Sequence, residues 1–189
     1  MAFYKDERLA LFIDGANLYS AARAVGLEID FRKLLKEFQQ RGRLIRASYY
    51  TTIVESDEYS PIRPLVDWLA YNGFNVVKKP AREFTDRDGR KRFRGNMDIE
   101  LTTDMLEAAS WADHVVLFSG NGDFRRLVEA VKAKGVRVSV VSTMNPSPPM
   151  ISDELRREAD TFIELVDLGE LIARPRRETG EPAPLSDED

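Results

Sequence analysis

The sequence is constrained most strongly by residues 9–13, where five apolar residues in succession run directly into Asp14 and Gly15. A short apolar run that does not alternate is typical of a strand buried on both faces, and such strands belong to parallel sheets covered by helices. In open parallel sheets, ligands bind beyond the carboxyl ends of the strands. We therefore expect Asp14 to lie at the edge of the sheet where a functional site forms.

The rest of the chain alternates between strand-like and helix-like segments. Apolar and β-branched stretches predict further strands at 44–52, 74–77, 113–118, 136–141 and 162–166. Helical spacing and end signals predict helices at 17–25, 31–40, from Pro61–Pro64 to Gly73, 97–109, 124–134 and 153–159, with a last turn at 168–173. This alternation predicts an α/β fold, a three-layer sandwich with helices on both faces of a mostly parallel, Rossmann-like sheet.

Length and composition indicate one globular domain. The chain has 189 residues, of which 43% are hydrophobic and 32% are charged, so it is able to bury a substantial core. From Pro175 onward the sequence is rich in Pro, Gly and acidic residues and has almost no apolar ones. We expect a folded domain over residues 8–173 and a disordered acidic tail over residues 174–189.

Composition also excludes several kinds of site. The chain has no cysteine and one histidine, His114, which excludes disulfides, thiolate metal sites and His-rich zinc sites. His114 begins a predicted buried strand, so a structural role is expected for it. No apolar run approaches the ~20 residues of a membrane helix, and residues 1–8 lack the apolar core of a signal peptide. We expect a cytoplasmic protein with no membrane partner.

Three acids occupy positions that a doubly wound sheet brings to one edge. Asp14 follows the first strand, Asp98 opens a helix, and Asp123 lies in the turn after the strand at 113–118. Carboxylates without His or Cys suit hard cations such as Mg²⁺ or Mn²⁺, which activate water and stabilise phosphoryl transition states. Each acid alone is also explained as a helix cap or a partner of the helix dipole, so the metal-site hypothesis depends on their convergence.

Two further polar residues lie near this edge. Asp104 comes six residues after Asp98, which on a helix turns its side chain about 120° away and moves it about 9 Å along the axis. Asp104 is therefore expected behind the site or on the surface. Asn17, in the first helix, is a candidate to orient a water molecule or a phosphate, and the alternative is an ordinary surface residue.

Residues 78–94 are basic within an acidic protein. Eight Lys or Arg residues stand beside three acids, a local net charge of +5, whereas the whole chain carries −4. The Asp88-Gly89 pair between two short extended pieces predicts a β-hairpin. Phe84 and Phe93 are interspersed among the cations, a pattern suited to phosphate contacts and base stacking. The alternative is a solvated charged hairpin whose aromatic residues pack on the body of the domain.

Four motifs follow one another in an order that resembles a known family. They are Phe-Ile-Asp-Gly-Ala-Asn at 12–17, Arg-Gly-Asn-Met-Asp at 94–98, Ser-Gly-Asn-Gly-Asp-Phe at 119–124 and Gly-Val-Arg-Val at 135–138. Together they resemble the NYN domain, in the LabA-like (DUF88) branch of the PIN-like nuclease superfamily, over residues 8–170. The resemblance implies a PIN-like α/β/α fold, a Mg²⁺ or Mn²⁺ site built from aspartates, and ribonuclease activity.

The resemblance also assigns roles by position. The metal-binding and catalytic acids of the family fall on Asp14, Asp98 and Asp123. Its turn motif usually reads Ser-Gly-Asp-Gly-Asp-Phe, so Asn121 stands where an acid is usual. Asn121 can coordinate a metal through its carbonyl oxygen but brings no charge, so metal affinity is expected to fall. Asp104 is expected behind these ligands.

Two functions are therefore carried forward. The first is a metal-dependent ribonuclease that hydrolyses the phosphodiester bonds of single-stranded RNA, and the second is an RNA-binding or regulatory module with a weak or inactive site at Asn121. A phosphohydrolase or nucleotide-binding protein is disfavoured, because no P-loop and no G-x-G-x-x-G motif is present. The sequence leaves a homodimer open. Contacts to RNA are expected from Asn17, Ser119, Lys79, Arg82, Arg92 and Arg94.

Overall fold

A computed structural model describes residues 3–54, 62–86 and 88–175. Within these ranges the strands are β1 (Arg8–Asp14), β2 (Arg43–Ile53), β3 (Asn75–Pro80), β4 (Arg82–Thr85), β5 (Lys91–Arg94), β6 (His114–Phe118), β7 (Arg137–Ser142) and β8 (Thr161–Glu164). Six of them form one sheet in the order β3-β2-β1-β6-β7-β8, and every neighbouring pair is parallel. The other two, β4 and β5, form the separate antiparallel hairpin that the sequence predicted.

Helices connect the strands and cover both faces of the sheet. They are α1 (Gly15–Ala24), α2 (Phe31–Arg41), α3 (Arg63–Tyr71), α4 (Asp98–Ala108), α5 (Arg125–Lys132), α6 (Asp153–Glu158) and α7 (Leu165–Ile172), and a 3₁₀ helix spans Gly122–Phe124. Helices α4, α5 and α6 pack on one face, and α1, α2, α3 and α7 pack on the other. The predicted three-layer α/β/α sandwich is confirmed.

The first strand explains why the sheet is buried on both faces. Side chains along a strand point alternately to opposite faces, and residues 9–13 are each at most 2% exposed. Phe12 packs in the core under α4 and α5, whereas Leu11 and Ile13 pack in the core under α1 and α2. A run that is apolar at every position is therefore required by burial on both sides, as predicted.

Several element boundaries differ from the prediction. Helix α1 begins at Gly15 rather than at Asn17, because the Asp14 side chain caps it. A 3₁₀ helix precedes α5, and the chain turns into α7 directly after β8, where only a short last turn was predicted. Leu165, Leu168 and Ile172 have the spacing of one buried helical face, which accounts for the longer helix.

The polar residues 55–60 and most of the predicted tail, residues 176–189, lie outside the described residues. At the beginning of that tail, the Arg174 backbone N–H donates to the Glu28 carbonyl oxygen at 2.8 Å, and the two side chains form an ion pair at 3.1 Å. The limit between domain and tail stays a prediction. Within the described ranges, no helix combines the length and the apolar character that crossing a bilayer requires.

Paired charges occupy the amino ends of β1, β6 and β7. The Arg8 guanidinium donates to both carboxylate oxygens of Asp113 at 2.9 and 2.6 Å, and the Arg137 guanidinium donates to both oxygens of Glu7 at 2.7 and 2.8 Å. The hydrogen bonds from Arg8 lower the pKa of Asp113 to about 2. We call Glu7, Arg8, Asp113, His114 and Arg137 the amino-edge network.

His114 completes this network as a neutral residue. Its ring is 1% exposed, with Nε2 2.8 Å from the Ser139 hydroxyl and Nδ1 3.3 Å from the Glu7 carboxylate. Burial lowers the pKa of His114 to about 4, and the charge of Arg137 lowers it as well. His114 is therefore uncharged near pH 7. It lies at the amino end of β6, whereas Asp14 lies at the carboxyl end of β1. Both observations agree with the structural role that the sequence predicted.

Candidate active site

The winding of the sheet reverses between β1 and β6. From β1 the chain proceeds outward to β2 and β3, and from β6 it proceeds in the other direction to β7 and β8. The carboxyl ends of two such central strands border the crevice where doubly wound proteins bind ligands. Asp14 ends β1, and the turn at 119–123 follows β6, so both lie at this crevice as the sequence predicted.

Asp14 is half-buried, and both of its carboxylate oxygens accept hydrogen bonds. Oδ1 accepts from the backbone N–H of Asn17 at 3.3 Å, and Oδ2 accepts from the Ser119 hydroxyl at 3.1 Å. Burial raises the pKa of Asp14, and these hydrogen bonds oppose the rise. Asp14 therefore does cap α1, and it is also held in one orientation by β6.

Asp98 and Asp123 converge on Asp14 from two other elements. Asp98 is the first residue of α4 and accepts a hydrogen bond from the side-chain amide of Asn96 at 2.9 Å. Burial raises the pKa of Asp98, the charges of Asp14 and Asp123 raise it further, and Lys79 opposes the rise. Asp14 and Asp123 therefore both act electrostatically on Asp98, so the three acids border the same crevice. We call Asp14, Asp98 and Asp123 the carboxylate rim.

Asn121 shapes the turn that carries Asp123. Its Oδ1 accepts a hydrogen bond from the Asp123 backbone N–H at 3.1 Å and so caps the 3₁₀ helix. Its own backbone N–H donates to the Ser119 hydroxyl at 3.2 Å. Aspartate is an equally good cap, so an acid at this position would keep the same turn and add one negative charge beside the carboxylate rim.

Gly120 holds the same turn close to the rest of the fold. A Cβ at Gly120 would overlap the Met150 carbonyl oxygen and lie 2.8 Å from the Ser142 hydroxyl. The Gly120 carbonyl accepts from the Ser152 N–H at 3.0 Å, and its N–H donates to the Asn17 side-chain oxygen at 2.9 Å. Asn17 therefore joins the turn to α1. Its expected contact with water or phosphate stays a prediction.

Ser119 is buried in this arrangement, with 1% of its surface exposed. Its hydroxyl donates to Asp14 and accepts from the Asn121 backbone N–H. In the structure Ser119 thus orients the acid of β1 and the turn after β6 together. The contact with RNA that the sequence predicted for Ser119 remains untested by this geometry.

The hairpin borders a cleft beside the carboxylate rim, which we call the hairpin cleft. Its volume is about 830 Å³, and its lining residues are Lys79, Pro80, Ala81, Arg82, Glu83, Phe84, Gly95 and Asn96. The Asn96 amide contacts Asp98, so the cleft adjoins the rim directly. Arg82 is exposed and Phe84 is 44% exposed, which leaves both side chains accessible to a ligand. The side chains of Arg92, Phe93 and Arg94 lie outside the described part of the chain.

Lys79 connects the hairpin cleft to α4. Its ammonium group contacts both carboxylate oxygens of Glu100 at 2.8 and 2.9 Å. This hydrogen bond lowers the pKa of Glu100, and the charge of Lys79 also opposes the rise in the pKa of Asp98. Lys79 thus partly offsets the negative charge of the rim. Its predicted contact with RNA stays a prediction.

Asp104 lies away from the carboxylate rim. Its carboxylate accepts a hydrogen bond from the Tyr50 hydroxyl at 2.8 Å. Burial raises the pKa of Tyr50, and the contact with Asp104 raises it further. Asp104 is absent from the charges that act on Asp14 and Asp98. The structure therefore places it facing β2, behind the rim, where it joins α4 to the sheet.

The carboxylate rim fits a hard divalent cation in its donor chemistry. All of its donors are oxygens. Burial and the charges of Asp14 and Asp123 raise the pKa of Asp98, and a bound cation would oppose that rise. Among the described residues, however, no three His, Cys, Asp or Glu side chains lie at metal-binding spacing. A metal would therefore have to draw the carboxylates closer together.

Tyr49 is a neighbour of the site that the sequence reasoning missed. A Cβ at Gly15 would lie 2.6 Å from the Tyr49 ring, so the absence of a side chain at Gly15 is what admits the ring beside the end of β1. Burial raises the pKa of Tyr49 to about 12, and the charge of Asp14 contributes to the rise. The only sequence signal was its place near the end of a predicted buried strand, which several aromatic residues share.

Comparison with known proteins agrees with this architecture. Residues 8–167 match the model of the NYN domain. The low amplitude and bright protein LabA of Synechococcus elongatus is 37% identical over 181 residues, which cover 94% of this chain and 93% of LabA. The crystal structure of a protein of unknown function from Vibrio parahaemolyticus has a TM-score of 0.67 and 27% identity, covering 87% of this chain and 96% of that one.

The matched region includes the entire candidate site. It begins at the first residue of β1 and extends into α7, so Asp14, Asp98 and Asp123 all lie within it. The relative from Synechococcus is similar over nearly its full length as well. The family resemblance predicted from four short motifs is therefore confirmed, and this chain belongs to the NYN domain family.

Proposed function

We propose that this chain is a metal-dependent ribonuclease that acts on single-stranded RNA in the cytoplasm. The observation that carries the proposal is the carboxylate rim at the switch point of the sheet, where burial raises the pKa of Asp98 and the charges of Asp14 and Asp123 raise it further. A structural role alone does not require like charges to converge from three elements. Perturbed carboxyl groups in a crevice are typical of functional sites.

Each group in the crevice has a role in this proposal. Asp14, Asp98 and Asp123 would hold Mg²⁺ or Mn²⁺, with the Asn121 carbonyl oxygen as an uncharged fourth donor. When bound, the ion supplies Lewis-acid stabilisation of the charge that develops on a phosphodiester. The Ser119 hydroxyl keeps Asp14 in a fixed orientation.

The hairpin cleft supplies the surface for the RNA strand. Lys79 and Arg82 offer positive charge to phosphates, and the exposed ring of Phe84 offers a stacking surface for a base. The predicted contacts from Arg92 and Arg94 belong to the same proposal. A cleft with these features beside a carboxylate cluster favours a polyanionic, base-bearing substrate.

The test is cleavage of a labelled single-stranded RNA by the full chain with Mg²⁺, with Mn²⁺ and with a chelator. We expect cleavage that requires the metal and that falls sharply in Asp14→Asn. A second readout is thermal unfolding, in which Mn²⁺ should raise the Tm of the wild type more than that of Asp14→Asn. Equal cleavage by the two proteins, or cleavage that survives the chelator, would contradict the proposal.

A second candidate function is an RNA-binding or regulatory module. It is favoured by Asn121, whose side-chain oxygen caps the 3₁₀ helix and brings no charge. It is also favoured because no three acids among the described residues have metal-binding spacing. This module would bind RNA in a salt-dependent way without turnover. The Asn121→Asp variant separates the two functions: a large gain in cleavage would identify a nuclease scaffold weakened at one residue.

A further inference from the structure

A second cavity lies on the opposite side of the β1 end from the hairpin cleft. It has a volume of about 500 Å³ and lies between α1, the start of α2 and the start of α3. We call it the α1 cavity. Its wall includes Gly15, Tyr19, Leu27, Phe31, Tyr49 and Leu65. Its volume lies within the range of small-ligand sites, and the proposed ribonuclease function does not account for it.

The α1 cavity adjoins the carboxylate rim through two residues. Gly15 follows Asp14 directly in the chain and forms part of the cavity wall. Tyr49 lines the cavity, packs against Gly15 and is close enough to Asp14 to be affected by its charge. A ligand that fills the cavity is therefore separated from the rim by little more than the backbone at the start of α1.

The walls of the α1 cavity suit a flat, partly apolar group. Phe31 and Tyr49 meet edge to face, with ring centroids 5.6 Å apart, and the aliphatic side chains of Leu27 and Leu65 complete the apolar wall. At the mouth, the ring of Tyr19 is 66% exposed. An exposed aromatic ring beside an apolar recess is able to stack on a planar ligand.

The charge at the mouth favours an anionic ligand. Arg23, Arg174 and Glu28 line it, which leaves an excess of one positive charge. Arg174 is paired with Glu28 at 3.1 Å, and both side chains are largely exposed, so this pair contributes little rigidity. A nucleotide combines the flat base that the walls accept with the phosphate that the arginines attract.

We propose that the α1 cavity binds one base of an RNA strand whose adjoining phosphate lies at the carboxylate rim. This inference rests on the proposed ribonuclease function and names how that site selects its substrate. The strand would cross the end of β1, with one segment in the hairpin cleft and one base in the α1 cavity. A site on each side of Asp14 would fix the register of the strand over the acids.

The test measures binding of the four nucleoside 5′-monophosphates to the full chain by calorimetry, together with Tyr19→Ala, Tyr19→Phe and Tyr71→Ala. Tyr71 is a matched control, because it is a helical tyrosine that is 89% exposed on α3 and lies outside the α1 cavity. We expect Tyr19→Ala to weaken nucleotide binding by about tenfold, the scale of removing one stacking ring. Tyr19→Phe and Tyr71→Ala should bind as the wild type does.

The outcomes separate this inference from the proposed function. If the wild type cleaves RNA with metal but binds no mononucleotide, or if Tyr19→Ala binds as tightly as Tyr71→Ala, the α1 cavity is not a base site and the ribonuclease proposal stands. If no RNA is cleaved under any condition, the ribonuclease proposal fails. Deletion of residues 176–189 that perturbs NMR signals only around this cavity would assign it to the tail and overturn the inference.

Discussion

Carboxylates at the two ends of the central strands have opposite electrostatic surroundings. At the amino ends, Asp113 and Glu7 are each held by an arginine through two hydrogen bonds. At the carboxyl ends, the carboxylate rim gathers acids that repel one another, with Lys79 as an opposing charge. The hydrogen bonds from Arg8 lower the pKa of Asp113. Burial raises the pKa of Asp14, and burial together with the charges of Asp14 and Asp123 raises the pKa of Asp98.

This difference shows that some acids of the sheet stabilise the fold, whereas others lower its stability at the candidate site. A carboxylate whose folded-state pKa is lowered stabilises the fold at neutral pH, and one whose folded-state pKa is raised destabilises it. Asp113 in the amino-edge network has the first property, and Asp14 and Asp98 in the carboxylate rim have the second. Under the proposed function, a bound cation would offset the negative charge that remains at the switch point.

The largest expected effect concerns cleavage. Asp14→Asn should lower kcat/KM for RNA by about 100-fold, the scale of losing one group that stabilises transition-state charge. The same chemical change at the amino edge, Asp113→Asn, should leave cleavage unchanged because Asp113 lies at the far end of the sheet. Initial rates at several RNA concentrations measure both variants. Similar losses in the two would show that the ends of the sheet do not differ in function.

The second effect concerns stability at the amino edge. Asp113→Asn should lower the free energy of unfolding by about 1 kcal/mol at pH 7, since the two partners are partly exposed and an exposed pair contributes modestly. The lowered folded-state pKa of about 2 means that this stabilisation is present above pH 3.8 and is lost as the pH falls toward 2. Urea unfolding between pH 7 and pH 3 should show the difference from wild type shrinking. A difference that stays constant with pH would exclude the ion pair as its cause.

The third effect is smaller and has the opposite sign. Asp14→Asn should raise the free energy of unfolding at pH 7 by about 0.5 kcal/mol, the scale of changes that leave packing intact. Asparagine caps α1 as well as aspartate does, and it removes a buried charge. Because the folded-state pKa of Asp14 is raised, the wild type regains stability as the pH falls through that value, so the gain should disappear in acid. A loss of stability at pH 7 would mean that Asp14 is primarily a structural residue.

The smallest effect concerns the charge of the hairpin cleft. Lys79→Gln should weaken RNA binding a few-fold and reduce the slope of log K against log salt by about 1, as expected when one phosphate contact is lost. Lys132→Gln is a matched control, because Lys132 pairs with Glu158 and Asp160 near the amino edge. Filter binding over a series of salt concentrations measures both. An equal change in the control would indicate only a general effect of net charge.

The sequence predicted much of this architecture because its patterns are local. Residues 9–13 are apolar at every position, which only burial on both faces explains, and glycines and caps mark many helix ends. The same local reasoning placed Asp14, Asp98 and Asp123 at one edge of the sheet. It assigned the boundaries of α1 and α7 less well, since capping and packing shift the ends of helices by a few residues.

Local patterns in the sequence did not predict contacts between side chains that are distant in the chain. The contact between Ser119 and Asp14 joins residues 105 positions apart, and Tyr49 reaches Asp14 only because Gly15 has no side chain. Likewise, no pattern in the sequence indicated that Lys79 pairs with Glu100 or that Asp104 accepts from Tyr50. Each of these contacts depends on the distance between two elements after they have packed.

The sequence by itself therefore determined the type of fold, the family and the positions of the acids, since periodicity and motif order are carried by neighbouring residues. The tertiary structure decided which acids are paired and which are left to repel one another, because that depends on three-dimensional distance and burial. It also created the α1 cavity, which no single segment contains. Residues of similar chemistry thus became a stabilising network at one end of the sheet and a candidate active site at the other.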